Sequence, residues 1–208
     1  MLLPQLQTYI EDAIRSFDSI TEERKKVLIQ LSEFVQQKLK GGKTAELIYV
    51  CTHNSRRSQF GQLWGKTAAF YYGIKSVNTY SAGTEATAFN SNAIRAAENA
   101  GFKIKKETEG MNPVYLVIFS EKEQPIRCFS KTYKDNSIPR TGLCAIMTCT
   151  DIDGTCPFIP GTELRVSCPY KDPKAFDGTI QEDEKYNERC KQIAIENLFI
   201  FSLLKPAP

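Results

Sequence analysis

The sequence predicts an α/β fold: a four-stranded parallel sheet with helices on both faces, preceded by a helical hairpin. Three observations carry this expectation. Short apolar runs alternate along the chain with segments of helical periodicity, the pattern of parallel strands joined by crossover helices. Glycines punctuate the ends of these elements, at Gly41-Gly42, Gly73, Gly83 and Gly101. The first forty or so residues, in contrast, show helical periodicity alone.

The elements follow in order. Leu6, Ile10, Ala13, Ile14 and Phe17 recur at helical spacing. Asp18-Ser19 breaks that pattern, and Ser19 with Glu22 has the spacing of a capping box, so a second helix is expected to start there. Val27, Leu28, Leu31, Phe34, Val35 and Leu39 give it one apolar face, and Gly41-Gly42 ends it. Residues 1–42 therefore read as a helical extension of a main domain spanning 43–208, with packing on that domain favoured over binding a partner. In that domain Leu47-Ile48-Tyr49-Val50 is the first expected strand, followed by a helix to Tyr72. Val77–Ser81 is the second strand, and Asn90–Ala100 a helix stopped by Gly101. Val114–Phe119 is expected as the third strand, Cys144–Cys149 as the fourth, and Glu182–Leu204 as the last helix. Residues 121–142 are charged and turn-rich, and longer than an ordinary connection; Pro125–Phe129 can add a strand and make a surface hairpin there.

Composition narrows the function classes. The chain has 208 residues, 41% hydrophobic, with a net charge of +3. That balance is too mild for a nucleic-acid partner, and no basic stripe is interleaved with aromatics. The most apolar run, Ala194–Leu204, is short and interrupted by Glu196 and Asn197, so no membrane span or signal peptide is expected, and a cytoplasmic location follows as the default. The seven cysteines are odd in number and scattered, which argues for free thiols over a disulfide framework. With one histidine and no C-x-x-C pair, no metal site is expected.

Chemistry concentrates in Val50-Cys-Thr-His-Asn-Ser-Arg-Arg-Ser-Gln59, between the first strand and the first helix of the main domain. Ligands bind beyond the carboxyl ends of parallel strands. Five residues separate Cys51 from Arg57, and Ser58 follows. Loop amides from Thr52 to Arg56 and the first helical amides can converge on one point, made positive by the helix dipole. Such a nest takes a tetrahedral oxyanion, and Arg57 can grip two of its oxygens. The same field lowers the pKa of Cys51, so one loop both binds the anion and activates a nucleophile. Ser58 can donate to the thiolate. Asn54 tolerates a left-handed backbone and can brace the loop. Ser55 is counted with the residues that support the loop, Arg56 is expected to point outward and steer anions, and His53 is expected to be a solvent-facing or packed ring with no catalytic role. A buried strand-end cysteine with solvated arginines is the plainer alternative for the motif by itself.

These residues, together with Trp64-Gly-Lys66 and Tyr80-Ser-Ala-Gly83, resemble the low-molecular-weight protein tyrosine phosphatase superfamily, and within it the thioredoxin-coupled arsenate reductases. The resemblance covers about residues 45–204 and makes 43–208 the catalytic domain. Cys149-Thr-Asp-Ile-Asp-Gly-Thr-Cys156-Pro157 resembles the redox pair of those reductases, and Tyr170-Lys-Asp-Pro173 the segment that carries their general acid, which falls on Asp172. The resemblance implies arsenate reduction by Cys51, Cys149 and Cys156 in turn, with Arg57 as clamp, Asp172 as acid and a thioredoxin-type reductant as partner. It implies no cofactor. Some of these reductases bind potassium through an Asn, a Glu, a Ser and an Asp; Asn54 and Ser81 match, but Gln62 stands at the Glu position and no Asp is evident, so no potassium site is expected. Hydrolysis of a phosphomonoester such as phosphotyrosine, through a phosphocysteine, needs only Cys51, Arg57 and Asp172 and is the competing reading. An anion sensor without turnover is a third.

Overall fold

The computed structural model describes residues 1–149 and 158–205. Its helices are α1 (Pro4–Ile14), α2 (Glu22–Lys40), α3 (Arg57–Tyr71), α4 (Ser91–Asn99) and α5 (Glu182–Ser202). The strands are β1 (Ala45–Cys51), β2 (Val77–Gly83), β3 (Lys103–Lys106), β4 (Tyr115–Ile118), β5 (Ile126–Cys128), β6 (Leu143–Met147) and β7 (Thr162–Ser167).

A four-stranded sheet in the order β2-β1-β6-β7 is parallel throughout. β1 and β6 lie at its centre and are buried almost from end to end, which is why both read as near-continuous apolar runs. Side chains alternate across the sheet. Leu47 and Tyr49 enter a large core shared with all five helices. Ile48, Val50, Ala82, Ala145 and Met147 enter a smaller cluster on the opposite face. Among the described residues, the side chains covering that second face come from connecting segments, through Tyr133, Ile138 and Ile159.

Two expectations change here. Val114–Phe119 is a strand, β4, but it belongs to a separate antiparallel sheet in the order β3-β4-β5. The fourth parallel strand is β7, whose Thr-Glu-Leu-Arg-Val-Ser sequence alternates exposed and half-buried as an edge strand does. The second correction is the start of α2. Thr21 caps it by accepting a hydrogen bond from the Arg24 amide at 3.3 Å, in place of the expected Ser19.

α3 is buried on nearly every side because it lies between the sheet and α5. Gly61 and Gly65 face the ring of Tyr49, where a Cβ would collide with it. That close approach seats the amino end of α3 over the end of β1. α1 and α2 both dock on α5, and Leu6, Ile10, Leu28 and Leu31 join the same core as Trp64 and Ile193. No helix among the described residues is long and apolar enough to cross a membrane.

Candidate active site

Strand register assembles the site. Val50 of β1 lies beside Met147 of β6. The ladder runs past the strand ends, with the Thr148 amide donating to the Val50 carbonyl at 2.8 Å. The residues that follow, Cys51 and Cys149, therefore emerge side by side although 98 positions apart. On the other edge of β6, the Cys168 and Tyr170 amides donate to the Met147 and Thr148 carbonyls at 2.9 and 3.1 Å, which leads the chain to Asp172. All these groups sit at the carboxyl ends of β1, β6 and β7, at the amino end of α3.

The loop from 52 to 56 is shaped by Asn54, whose backbone is left-handed at φ 46°. Its side chain accepts from the Lys131 amide at 2.9 Å and donates to the Ser58 hydroxyl at 2.8 Å. Because the amide nitrogen can only donate, the Ser58 oxygen must accept, which leaves its own proton for the Cys51 sulfur 3.0 Å away. Gly83 pairs with Cys51 across the sheet, and a Cβ there would meet the Thr52 carbonyl at 2.5 Å and the Asn54 amide at 2.7 Å. Only glycine lets the loop close this tightly. Ser55 donates to the Ala88 carbonyl at 2.7 Å. The amides of residues 53–56 donate to no carbonyl or side chain among the described residues, so the loop that follows Cys51 carries a set of free donors.

Arg57 is buried. One terminal nitrogen donates to the Tyr170 carbonyl at 3.0 Å and the Thr148 carbonyl at 3.3 Å, and the other to Asp172 at 2.7 Å. Its Nε has no partner among the described residues and is a buried donor left unused. Asp172 also caps the short turn Pro173–Phe176 through the Lys174 amide.

The two thiols are shifted in opposite directions. The Cys51 thiol is lowered to about 5. The largest cause is the hydrogen bond from Cys149; Ser58 and the charge of Arg57 add to it, against burial. The same bond raises Cys149, with burial in support. Cys51 thus holds the charge and Cys149 the proton. Cys149 also contacts Thr52 Oγ1 at 3.5 Å. Alkylation of Cys51 should accordingly stay fast from neutrality down to about pH 5 and fall below it as the thiolate is protonated. Iodoacetamide labelling, read by mass spectrometry against pH, checks this; a midpoint near 8 to 9, where an unperturbed thiol titrates, is the contrary outcome.

Cys128, Cys168 and Cys190 behave oppositely: each is buried and pushed up to about 12, chiefly by burial. Cys144 is buried and likewise raised. Cys156 lies outside the described residues.

No protein-family model matches the chain. The arsenate reductase of Bacillus cereus strain Q1 is 32% identical over 150 residues, spanning 71% of this chain and 92% of that one. The chain belongs to the arsenate reductase family. It is an enzyme of that thiol-dependent class. The arsenate reductase of Halalkalibacterium halodurans is 29% identical over 136 residues, 65% of this chain and 79% of that one. Among solved structures, a low-molecular-weight phosphotyrosine phosphatase from Vibrio cholerae gives a TM-score of 0.49 at 14% identity, over 76% of this chain and 95% of that one. An arsenate reductase in the phosphate-binding state gives 0.48 at 18%, over 75% and 97%.

In this family member Arg56 does not point outward as expected. Its side chain is only 11% exposed, and its Nε donates to the Tyr186 hydroxyl at 2.7 Å, which in turn donates to Asp177 at 2.6 Å. It ties the amino end of α3 to α5. His53 is 41% exposed at the loop edge, with Nε2 3.6 Å from Glu85. Gln62 accepts from Ser81 at 2.6 Å. Sequence reading missed the support given by residues 129–131: the Phe129 carbonyl accepts from Gln59, Ser130 Oγ donates to the His53 carbonyl at 2.8 Å, and the Lys131 amide holds Asn54. Part of the 121–142 insertion is therefore a brace for the loop.

Proposed function

We propose that the protein reduces arsenate through three thiols, with Cys51 as nucleophile. The observation that carries this reading is the placement of Cys149 beside Cys51 at the paired ends of β6 and β1, with its sulfur 3.5 Å from Thr52 Oγ1 in the same loop. A phosphatase has no use for a second thiol at that point, whereas a reductase needs one.

Arsenate sits on the loop amides and the Arg57 Nε. The Cys51 thiolate attacks arsenic, and Asp172 protonates the departing oxygen, which leaves as water. Cys149, once it has lost its proton, attacks the Cys51 sulfur. The S–As bond breaks, its electron pair stays on arsenic, and arsenite leaves as a Cys51–Cys149 disulfide forms. Cys156 then attacks Cys149, which frees Cys51 and forms a Cys149–Cys156 disulfide. A thioredoxin-type dithiol reduces that bond and is itself oxidised. Residues 43–208 act as the catalytic domain and 1–42 as an extension of it, in a reducing cytoplasmic setting.

The packing of Tyr170 favours reduction over phosphotyrosine hydrolysis. Its ring is buried and its hydroxyl is bound to Glu196, so it cannot wall a substrate ring beside Asp172. Kinetics run side by side on arsenate with thioredoxin and on p-nitrophenyl phosphate test the reading. The expected result is thioredoxin-dependent arsenite formation with many turnovers. Aryl phosphate turnover without it would reassign the protein to the phosphatases.

A further inference from the structure

Helix α2 reaches the site through one buried ion pair. Arg24, near its start, donates to Glu196 of α5 through Nε at 3.0 Å and a terminal nitrogen at 2.8 Å. The two side chains are 16% and 5% exposed. The same Glu196 oxygen accepts from the Tyr170 hydroxyl at 2.7 Å, and the other from Gln192 at 3.1 Å. The Arg24 guanidinium also lies over the Tyr170 ring, 4.7 Å from its centroid. Burying two charges is costly, and an apolar pair would often stabilise the same packing as well or better, so stability by itself is a weak account of this pair.

What the pair holds is more informative. Arg24 fixes the face of Tyr170 and Glu196 fixes its hydroxyl. The Tyr170 peptide is gripped on both sides, its amide by the Thr148 carbonyl and its carbonyl by Arg57. Asp172, two residues on, holds the other arm of the same guanidinium. Release of the Tyr170 side chain would free this segment to shift, and with it the Arg57 guanidinium. A displacement of about 1 Å at such a group can cost up to two orders of magnitude in function.

We propose that Arg24 and Glu196 are positioning residues for oxyanion binding: by holding Tyr170 they set the guanidinium of Arg57, which makes α2 a working part of the site. This rests on the reading of Cys51 and Arg57 as nucleophile and clamp. The extension then does more than cover apolar surface. It supplies one of the two charges on which the placement of the clamp depends.

The test uses protection of Cys51 from iodoacetamide by inorganic phosphate in the full chain, with the unprotected alkylation rate as a control for an intact loop. For Glu196→Gln and Arg24→Met, the phosphate concentration giving half-protection should rise about tenfold, with a smaller rise for Tyr170→Phe. The unprotected rate should change little. Unchanged half-protection in the folded variants would overturn the proposal. If Glu196→Gln or Arg24→Met fails to fold, Tyr170→Phe, which removes one oxygen, decides it. If phosphate does not protect the wild-type protein, the reading of the loop fails first and takes this inference with it.

Discussion

Cys51→Ser should abolish arsenate reduction and aryl phosphate turnover together, by on the order of 10⁴-fold or more, the scale seen when a covalent nucleophile is removed. The loop around residue 51 lowers a thiol to about pH 5, but a serine hydroxyl starts far less acidic and stays protonated in the same field. The binding elements should survive the change, because Arg57 Nε and the amides of 53–56 are untouched. Phosphate should therefore still raise the melting temperature of the variant. Residual turnover of either substrate above a few parts per thousand would remove Cys51 from the nucleophile's role. Loss of phosphate binding would instead show that the loop had collapsed.

Cys149→Ser should separate the two chemistries. Aryl phosphate hydrolysis needs no second thiol and should persist within about tenfold, whereas thioredoxin-coupled arsenate reduction should fall to no more than a single turnover. Continued multiple-turnover reduction would sink the relay. A companion change, Cys149→Ala, bears on the opposite shifts of the two thiols. Because the hydrogen bond from Cys149 is the largest cause lowering Cys51, its removal should move the pH midpoint for alkylation of Cys51 upward from about 5. Serine can still donate a hydrogen bond and should move it less. Equal midpoints in the alanine variant and the wild type would mean that Ser58 and Arg57 hold the thiolate unaided.

Much of the fold was legible because its central strands are buried on both faces. Leu47–Val50 and Cys144–Met147 read as apolar runs for the same reason that they lie at the middle of the sheet. β7 escaped notice because an edge strand needs no such run, and within Thr162–Ser167 only Leu164 and Val166 are apolar. β4 misled in the opposite way: an apolar run announces burial and says nothing about which neighbour it pairs with, and here the partners are the antiparallel β3 and β5. At the site, local chemistry was readable and long-range placement was not. Cys51, Asn54, Arg57 and Ser58 share one turn, so their spacing carried the information. The partner of Arg56 is Tyr186, 130 positions away, and charge alone had suggested solvent. Nothing in the spacing of Arg24, Tyr170 and Glu196 links them either. They meet because α2 and the segment after β7 both pack on α5.

The placement of Cys149 beside Cys51 has a consequence for oxidative damage. Peroxide that reaches this loop meets one anionic sulfur, with a protonated thiol on the adjoining strand end. A sulfenic acid formed on Cys51 can condense at once with the Cys149 thiol, releasing water and closing a disulfide, before a second oxidant molecule carries it to the irreversible sulfinic stage. The buried thiols at Cys128, Cys144, Cys168 and Cys190 are protonated and shielded, so they offer peroxide little competition. Oxidative stress would then leave the protein inactive but intact, and recoverable by dithiol reduction.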